Sequence, residues 1–131
     1  MKAKGGPRHL ALGKAGETAA ARYLENRGYT ILERNFRHKT FEIDIIARDG
    51  DTLCFIEVKT RSNTSKALPR EAVHPAKQKK MILGATWYLK HKRLTNQRAR
   101  FDVVEVVYAG KTAGPKEQPD ITLIPNAFHG G

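Results

Sequence analysis
The stretch Phe41-Glu-Ile-Asp-Ile-Ile-Ala-Arg-Asp-Gly-Asp-Thr-Leu-Cys-Phe-Ile-Glu-Val-Lys-Thr60 constrains the fold more than any other part of the chain. Two apolar runs flank Arg48-Asp49-Gly50-Asp51, and an Asp-Gly pair between such runs marks a β-hairpin. Strand side chains alternate between the two faces of a sheet. Ile43, Ile45 and Ala47 on the first strand, with Cys54, Ile56 and Val58 on the second, are therefore expected to share a wholly apolar, core-facing side. The opposite face carries Glu42, Asp44 and Ile46, then Leu53, Phe55, Glu57 and Lys59.

A two-residue loop at Asp49-Gly50 pairs Arg48 with Asp51. Asp44 then lies opposite Phe55 and diagonal to Glu57, roughly 7–8 Å away at the backbone and within side-chain reach. A slip of two residues sets Asp44 directly opposite Glu57; a slip of one would turn the apolar set outward, which burial opposes. In both allowed registers Glu42, Asp44, Glu57 and Lys59 crowd one end of one face. Like charges placed opposite each other destabilise a sheet, so the group calls for a positive partner. Lys59 is one source. A hard divalent cation such as Mg²⁺, or Mn²⁺ in its place, is another, because Mg²⁺ takes carboxylate oxygens. The alternative is a solvated strand end with a loose salt bridge.

A net charge of +11, from 24 Lys and Arg against 13 Asp and Glu, favours a polyanionic partner. Phosphate neutralisation dominates nucleic-acid affinity. At 131 residues, 40% hydrophobic and 28% charged, the chain fits one globular domain. That domain is expected over residues 10–125, between a flexible basic stretch at 1–9 and a tail at 126–131. No apolar run is long enough to span a bilayer, and the N-terminal stretch lacks the apolar segment of a secretory signal. The lone Cys54 excludes an internal disulfide and argues against zinc. Together these point to a reduced, cytoplasmic setting without membrane insertion.

The remaining elements follow from periodicity. Leu10–Arg27 reads as a helix that ends before Gly28. Leu12, Ala15, Gly16, Ala19, Ala20, Tyr23 and Leu24 form its apolar arc. Glu17 sits at the edge of that arc although the polar face was open to it, and it suits an early helical turn through the helix dipole. Tyr29–Phe36 reads as a strand, and Arg37, His38 and Lys39 as a basic turn. Thr60–Pro69 lacks periodicity and is expected to be a mobile loop. A second helix begins near Pro75 and runs to about Lys92. Lys77, Lys79, Lys80, Lys90, Lys92 and Arg93 make it strongly basic, as contact with a nucleic-acid backbone requires. Arg100–Tyr108 reads as a central strand, with Asp102 in a structural role. Gly110–Pro119 is a loop and Asp120–Ile124 a short last strand. The order αβββαββ gives an α/β (α+β) architecture of three layers with a mixed central sheet.

Asp44, twelve intervening residues and then Glu57-Val58-Lys59 resemble the Asp…(Asp/Glu)-x-Lys signature of restriction-endonuclease-like nucleases. The longer runs Glu42-Ile-Asp-Ile-Ile-Ala-Arg-Asp-Gly50 and Phe55-Ile-Glu-Val-Lys-Thr-Arg61, with Gly16-Glu17-x-x-Ala20, Gly28-Tyr29, Asn35-Phe36-Arg37 and Arg100-Phe101-Asp102, resemble the bacterial YraN-like family. That family is itself similar to archaeal Holliday-junction resolvases. Phe41 stands where these sequences usually carry glycine. The resemblance implies a restriction-endonuclease-like fold and a Mg²⁺-dependent endonuclease acting on DNA, extending to branched or junction DNA and to a homodimer. It implies Asp44 and Glu57 as metal ligands, with the Val58 carbonyl as a third and Lys59 as the catalytic lysine. Glu17 and Glu42 would complete the metal shell or hold a second ion. Arg61 and Lys66 would join Arg37, Lys39, Lys77 and Lys80 against nucleic-acid phosphates. The competing expectation is a non-catalytic nucleic-acid-binding or scaffold protein that keeps this fold.

Overall fold
The computed structural model describes residues 7–62, 73–108 and 118–129. The expected basic stretch before residue 7, residues 63–69 of the expected Thr60–Pro69 loop with Lys66, and most of the loop before Asp120 lie outside the described residues; residues 60–62, expected in that loop, are strand. Seven elements follow in order: α1 (Pro7–Asn26), β1 (Thr30–His38), β2 (Phe41–Asp49), β3 (Thr52–Ser62), α2 (Pro75–His91), β4 (Arg98–Tyr108) and β5 (Asp120–Phe128). The five strands form one sheet in the order β1-β2-β3-β4-β5. β3 and β4 are parallel and the other neighbours antiparallel. The αβββαββ order and the mixed three-layer architecture are those the sequence implied.

Local chemistry sets the ends of the elements. After α1, Gly28 takes φ +95°; its N–H donates to Glu25 O and the N–H of Tyr29 to Leu24 O, both at 3.0 Å. This is a Schellman cap, and its left-handed residue is where glycine carries no steric cost. α1 starts at Pro7, earlier than the expected Leu10. β1 continues through Arg37 and His38, so the tight turn narrows to Lys39-Thr40 between paired His38 and Phe41. β5 runs to Phe128, beyond the expected Ile124. The Phe128 ring stacks on Phe101 with centroids 4.9 Å apart, and that contact holds the extension on the sheet.

Each face of the sheet has its own core. Ala20, Leu24, Ile45, Ala47, Cys54, Ile56, Val104 and Val106 form the layer under α1. Ile46, Leu53, Phe55, Met81, Ala85, Tyr88 and Val103 form the layer under α2. Full burial of each large aliphatic side chain stabilises the fold by roughly 1.5–3 kcal/mol before entropy is counted. The opposite face of the hairpin is apolar over most of its length, with Ile46, Leu53 and Phe55 buried under α2. Among the described residues no helix is long and apolar enough to cross a membrane.

The hairpin takes the second of the two allowed registers. Asp49 pairs with Thr52, and Ile45 with Ile56, across a Gly50-Asp51 loop whose Gly50 has φ +62°. The β2–β3 ladder ends at Ile45 and Ile56. Beyond it, the start of β2 stays paired with β1 (Ile43 with Phe36, Glu42 with Arg37), while the end of β3 stays paired with β4 through Ser62. The sheet thus divides between β2 and β3. The expected common face of Ile43, Ile45 and Ala47 is broken at the same place: Ile43 packs under α2, whereas Ile45 and Ala47 pack under α1. Asp44 is the residue at which the alternation fails. Asn35, between the paired residues Arg34 and Phe36, has φ +53°, so β1 bends alongside it. Asparagine tolerates that conformation better than most residues.

Candidate functional site
At the division of the sheet, the Asp44 side chain does what the ladder no longer does. The backbone N–H of Val58 donates to Asp44 Oδ2 at 2.8 Å. A hydrogen bond to a carboxylate is among the stronger kinds, and this one fixes the Asp44 carboxylate beside Glu57-Val58-Lys59. Glu57 comes from β3, with its side chain only 8% exposed. Its Oε1 lies 3.4 Å from Nζ of Lys77 on α2 and has no hydrogen-bond partner. A buried carboxylate oxygen compensated only by one long ion pair is costly.

Burial raises both carboxyl pKa values. In Asp44, burial outweighs the lowering effect of the Val58 N–H, the Lys77 charge and a hydrogen bond from the Glu57 carboxyl, and the Glu42 charge adds to the rise. In Glu57, burial and then the Asp44 charge push the pKa up to about 7, against the pull of Lys77 and Lys59. Burial of both groups, with the Asp44 charge acting on Glu57, disfavours the doubly ionised pair.

Glu17, on α1, is part-buried. Its pKa is raised by burial and then by the Asp44 charge, while a hydrogen bond to Asn35 and the Arg34 charge oppose the rise. It lies within the electrostatic reach of Asp44, with Asn35 holding its carboxyl. Glu42 turns aside to Arg37, at 3.2 Å in an exposed pair. Among the described residues no three acidic, His or Cys side chains converge on one point, so Asp44 and Glu57 form the nucleus of the site. Lys59 lines a groove of about 230 Å³ with Glu17, Leu12, Gly13, Val58 and Thr60. The groove lies between α1 and β3, which come very close at Gly16 and Thr60. A Cβ on Gly16 would stand 2.8 Å from Thr60 Cγ2 and 2.9 Å from its Cβ.

The residues expected to contact phosphate separate into groups. Arg37 and Lys39 are exposed at the β1–β2 turn, where Lys39 has φ +55°. Lys80 is exposed on α2. Arg61 instead forms an ion pair with Glu105 on the neighbouring strand, with both side chains largely buried. Lys77 reaches Glu57 at the centre of the site. His38 stacks on Trp87 at 3.8 Å. Asp102 is fully buried; its two carboxylate oxygens accept from Arg100 Nε at 3.1 Å, and Oδ1 also accepts the Asn126 N–H at 2.8 Å, which is structural work. Asn35 and Thr60 enter the sequence reading as members of family motifs, without a role in the site. The signal for Asn35 was an asparagine inside a strand-like run. For Thr60 it was a glycine on the apolar arc of the helix, which permits close backbone approach.

The Uncharacterised protein family UPF0102 matches residues 16–106, the span from the tight α1 contact through most of β4. A UPF0102 protein of Desulforapulum autotrophicum is 50% identical over 117 residues, 89% of this chain and 92% of its own. One of Chlorobium phaeobacteroides is 49% identical over 117 residues, 89% and 93% of the two chains. One of Geotalea daltonii is 42% identical over 128 residues, 98% of this chain and 97% of its own. The chain belongs to the UPF0102 (YraN-like) family.

Proposed function
We propose that this protein is a divalent-metal-dependent nuclease acting on DNA, with Asp44 and Glu57 as the metal ligands and Lys59 as the catalytic lysine. The observation that carries the reading is the division of the sheet, where the part-buried Asp44 carboxylate and the buried Glu57 carboxylate come together beside Lys59. The donor set fits Mg²⁺ or Mn²⁺: both ligand side chains offer hard oxygens, and Glu57 Oε1 is buried without a hydrogen bond. Mg²⁺ is commonly held by one or two carboxylates together with substrate phosphate and water.

When bound, the ion would supply Lewis acidity at a phosphate oxygen and a water of lowered pKa. The protein's own groups do the rest. The Val58 N–H fixes one oxygen of Asp44, so the carboxylate is oriented before any ligand arrives. Lys59, two residues beyond Glu57 and facing the groove, places its ammonium beside the reacting phosphate. There the ammonium orients the attacking water or neutralises charge gathering on the phosphoryl oxygens, while its neutral amine form would take the water's proton. Glu17 stands across the groove from Lys59, where it can hold a water or complete the cation's shell. The exposed Arg37, Lys39 and Lys80 offer positive charge to the flanking backbone. The branched-DNA preference and the dimer that the family resemblance implies extend this reading; two coordinated cuts need two copies.

The test is cleavage of a panel of duplex, nicked, single-stranded and four-way-junction DNA with Mg²⁺ or Mn²⁺. Wild type should cut at least one substrate, and Asp44→Ala and Lys59→Ala should each lose at least about a hundredfold in rate, in the range of general acid–base contributions, while still binding DNA. A non-catalytic binding protein would bind equally well with or without metal, in wild type and Asp44→Ala alike, and would cut nothing.

A further inference from the structure
Lys77 stands in an unfavourable place for a lysine. It is the third residue of α2, and the first turn of that helix carries no acidic residue. A helix N-terminus has partial positive charge, which opposes a cation placed there. Lys77 nevertheless extends to Glu57 Oε1 at 3.4 Å. The two ends of the contact differ in their surroundings: the Glu57 side chain is 8% exposed, that of Lys77 35%. The carboxylate is fixed in the wall of the site, whereas the ammonium sits at its mouth with a path to water on a flexible four-carbon stem.

On the metal reading above, we propose that Lys77 is an exchangeable counter-ion. It neutralises the Asp44–Glu57 pair in the metal-free protein and leaves Glu57 when a divalent cation enters. The released ammonium then contacts a phosphate of the bound nucleic acid. The exchange gives Lys77 a role distinct from that of the surface lysines on the same helix. Nucleic-acid phosphate draws Lys77 away from Glu57 and so favours the metal, and by reciprocity the metal favours nucleic acid by the same factor. The protein is thereby set to load its cation when substrate is present.

The experiment is calorimetric titration of Mn²⁺ into wild type, Lys77→Met and Lys77→Arg, each alone and with a short phosphorothioate duplex. Removing the competing charge should tighten Mn²⁺ binding to Lys77→Met alone by roughly tenfold or more, as expected for a like charge a few ångströms from the ion. Lys77→Arg, which keeps the charge, should stay near wild type. The factor by which the duplex tightens Mn²⁺ binding should be several-fold smaller in Lys77→Met than in wild type. Lys77→Gln serves the same purpose should Lys77→Met fold poorly. Equal Mn²⁺ affinity in wild type and the neutral variants would overturn the exchange while leaving the metal site standing. Absence of Mn²⁺ binding in every protein, with duplex present, would overturn both.

Discussion
At the scale of single residues, the site is defined by one carboxylate whose hydrogen bond replaces a missing rung of the ladder and another with too little compensation. Glu57, with a pKa pushed up to about 7 from 4.5, holds its proton more tightly in the folded protein than in the unfolded chain. Its contribution to stability is therefore fully present below about pH 4.5 and is lost as pH rises through about 7. In the absence of divalent cations, thermal melts should show Tm falling across that window. Glu57→Gln should flatten the fall, because a neutral amide has no proton to lose. On the proposed metal reading Mg²⁺ would compete with the proton for the same carboxylate oxygens, so any rise in Tm that it causes should grow as pH increases from 5 to 7.5. A Mg²⁺ effect independent of pH would show that the ion binds elsewhere. These residues were legible in the sequence because Asp44 and Glu57-Val58-Lys59 flank a marked turn. The partnership of Lys77 with Glu57 was not, since nothing in a run of lysines on a helix tells which one turns inward.

At the scale of elements, the close seat of α1 on β3 places Glu17 over the groove. Gly16→Ala would put a methyl group against Thr60, whose own Cβ is 2.9 Å from that position, and the helix must lift or tilt. Such overpacking typically costs 1–3 kcal/mol, so denaturant unfolding should give a midpoint lower by a corresponding amount. Metal binding should weaken with it if the groove depends on this seat. The Asp102 network predicts the opposite pattern. Asp102→Ala leaves Arg100 without its buried partner and Asn126 N–H without an acceptor, with a loss of about 3–5 kcal/mol. Mn²⁺ affinity measured below the new transition should be unchanged, because the network ties β4 to β5 and to Asp49 and Tyr29, away from the carboxylate pair. Element type and order could be read from periodicity, with Gly28 and Asp49-Gly50 as punctuation. The split of the sheet could not: Ile43 and Ile45 are both apolar and both buried, and only the two helix layers reveal that they face opposite sides.

At the scale of the whole molecule, a strongly basic chain carries a small acidic centre. With a net charge of +11, DNA binding should weaken steeply with salt, log K falling linearly with log salt concentration. Lys80→Ala should reduce that slope by about one if its ammonium meets a phosphate. The charge was plain from composition, and it names a partner class without locating the chemistry; the location comes from the divided sheet. Calorimetric titration of Mn²⁺ into wild type and Asp44→Ala, with the phosphorothioate duplex present, tests that central claim most directly. The account predicts a saturable site in wild type that is lost in Asp44→Ala while the duplex still binds. Duplex binding without any Mn²⁺ site in wild type, or an unchanged site in Asp44→Ala, would contradict it.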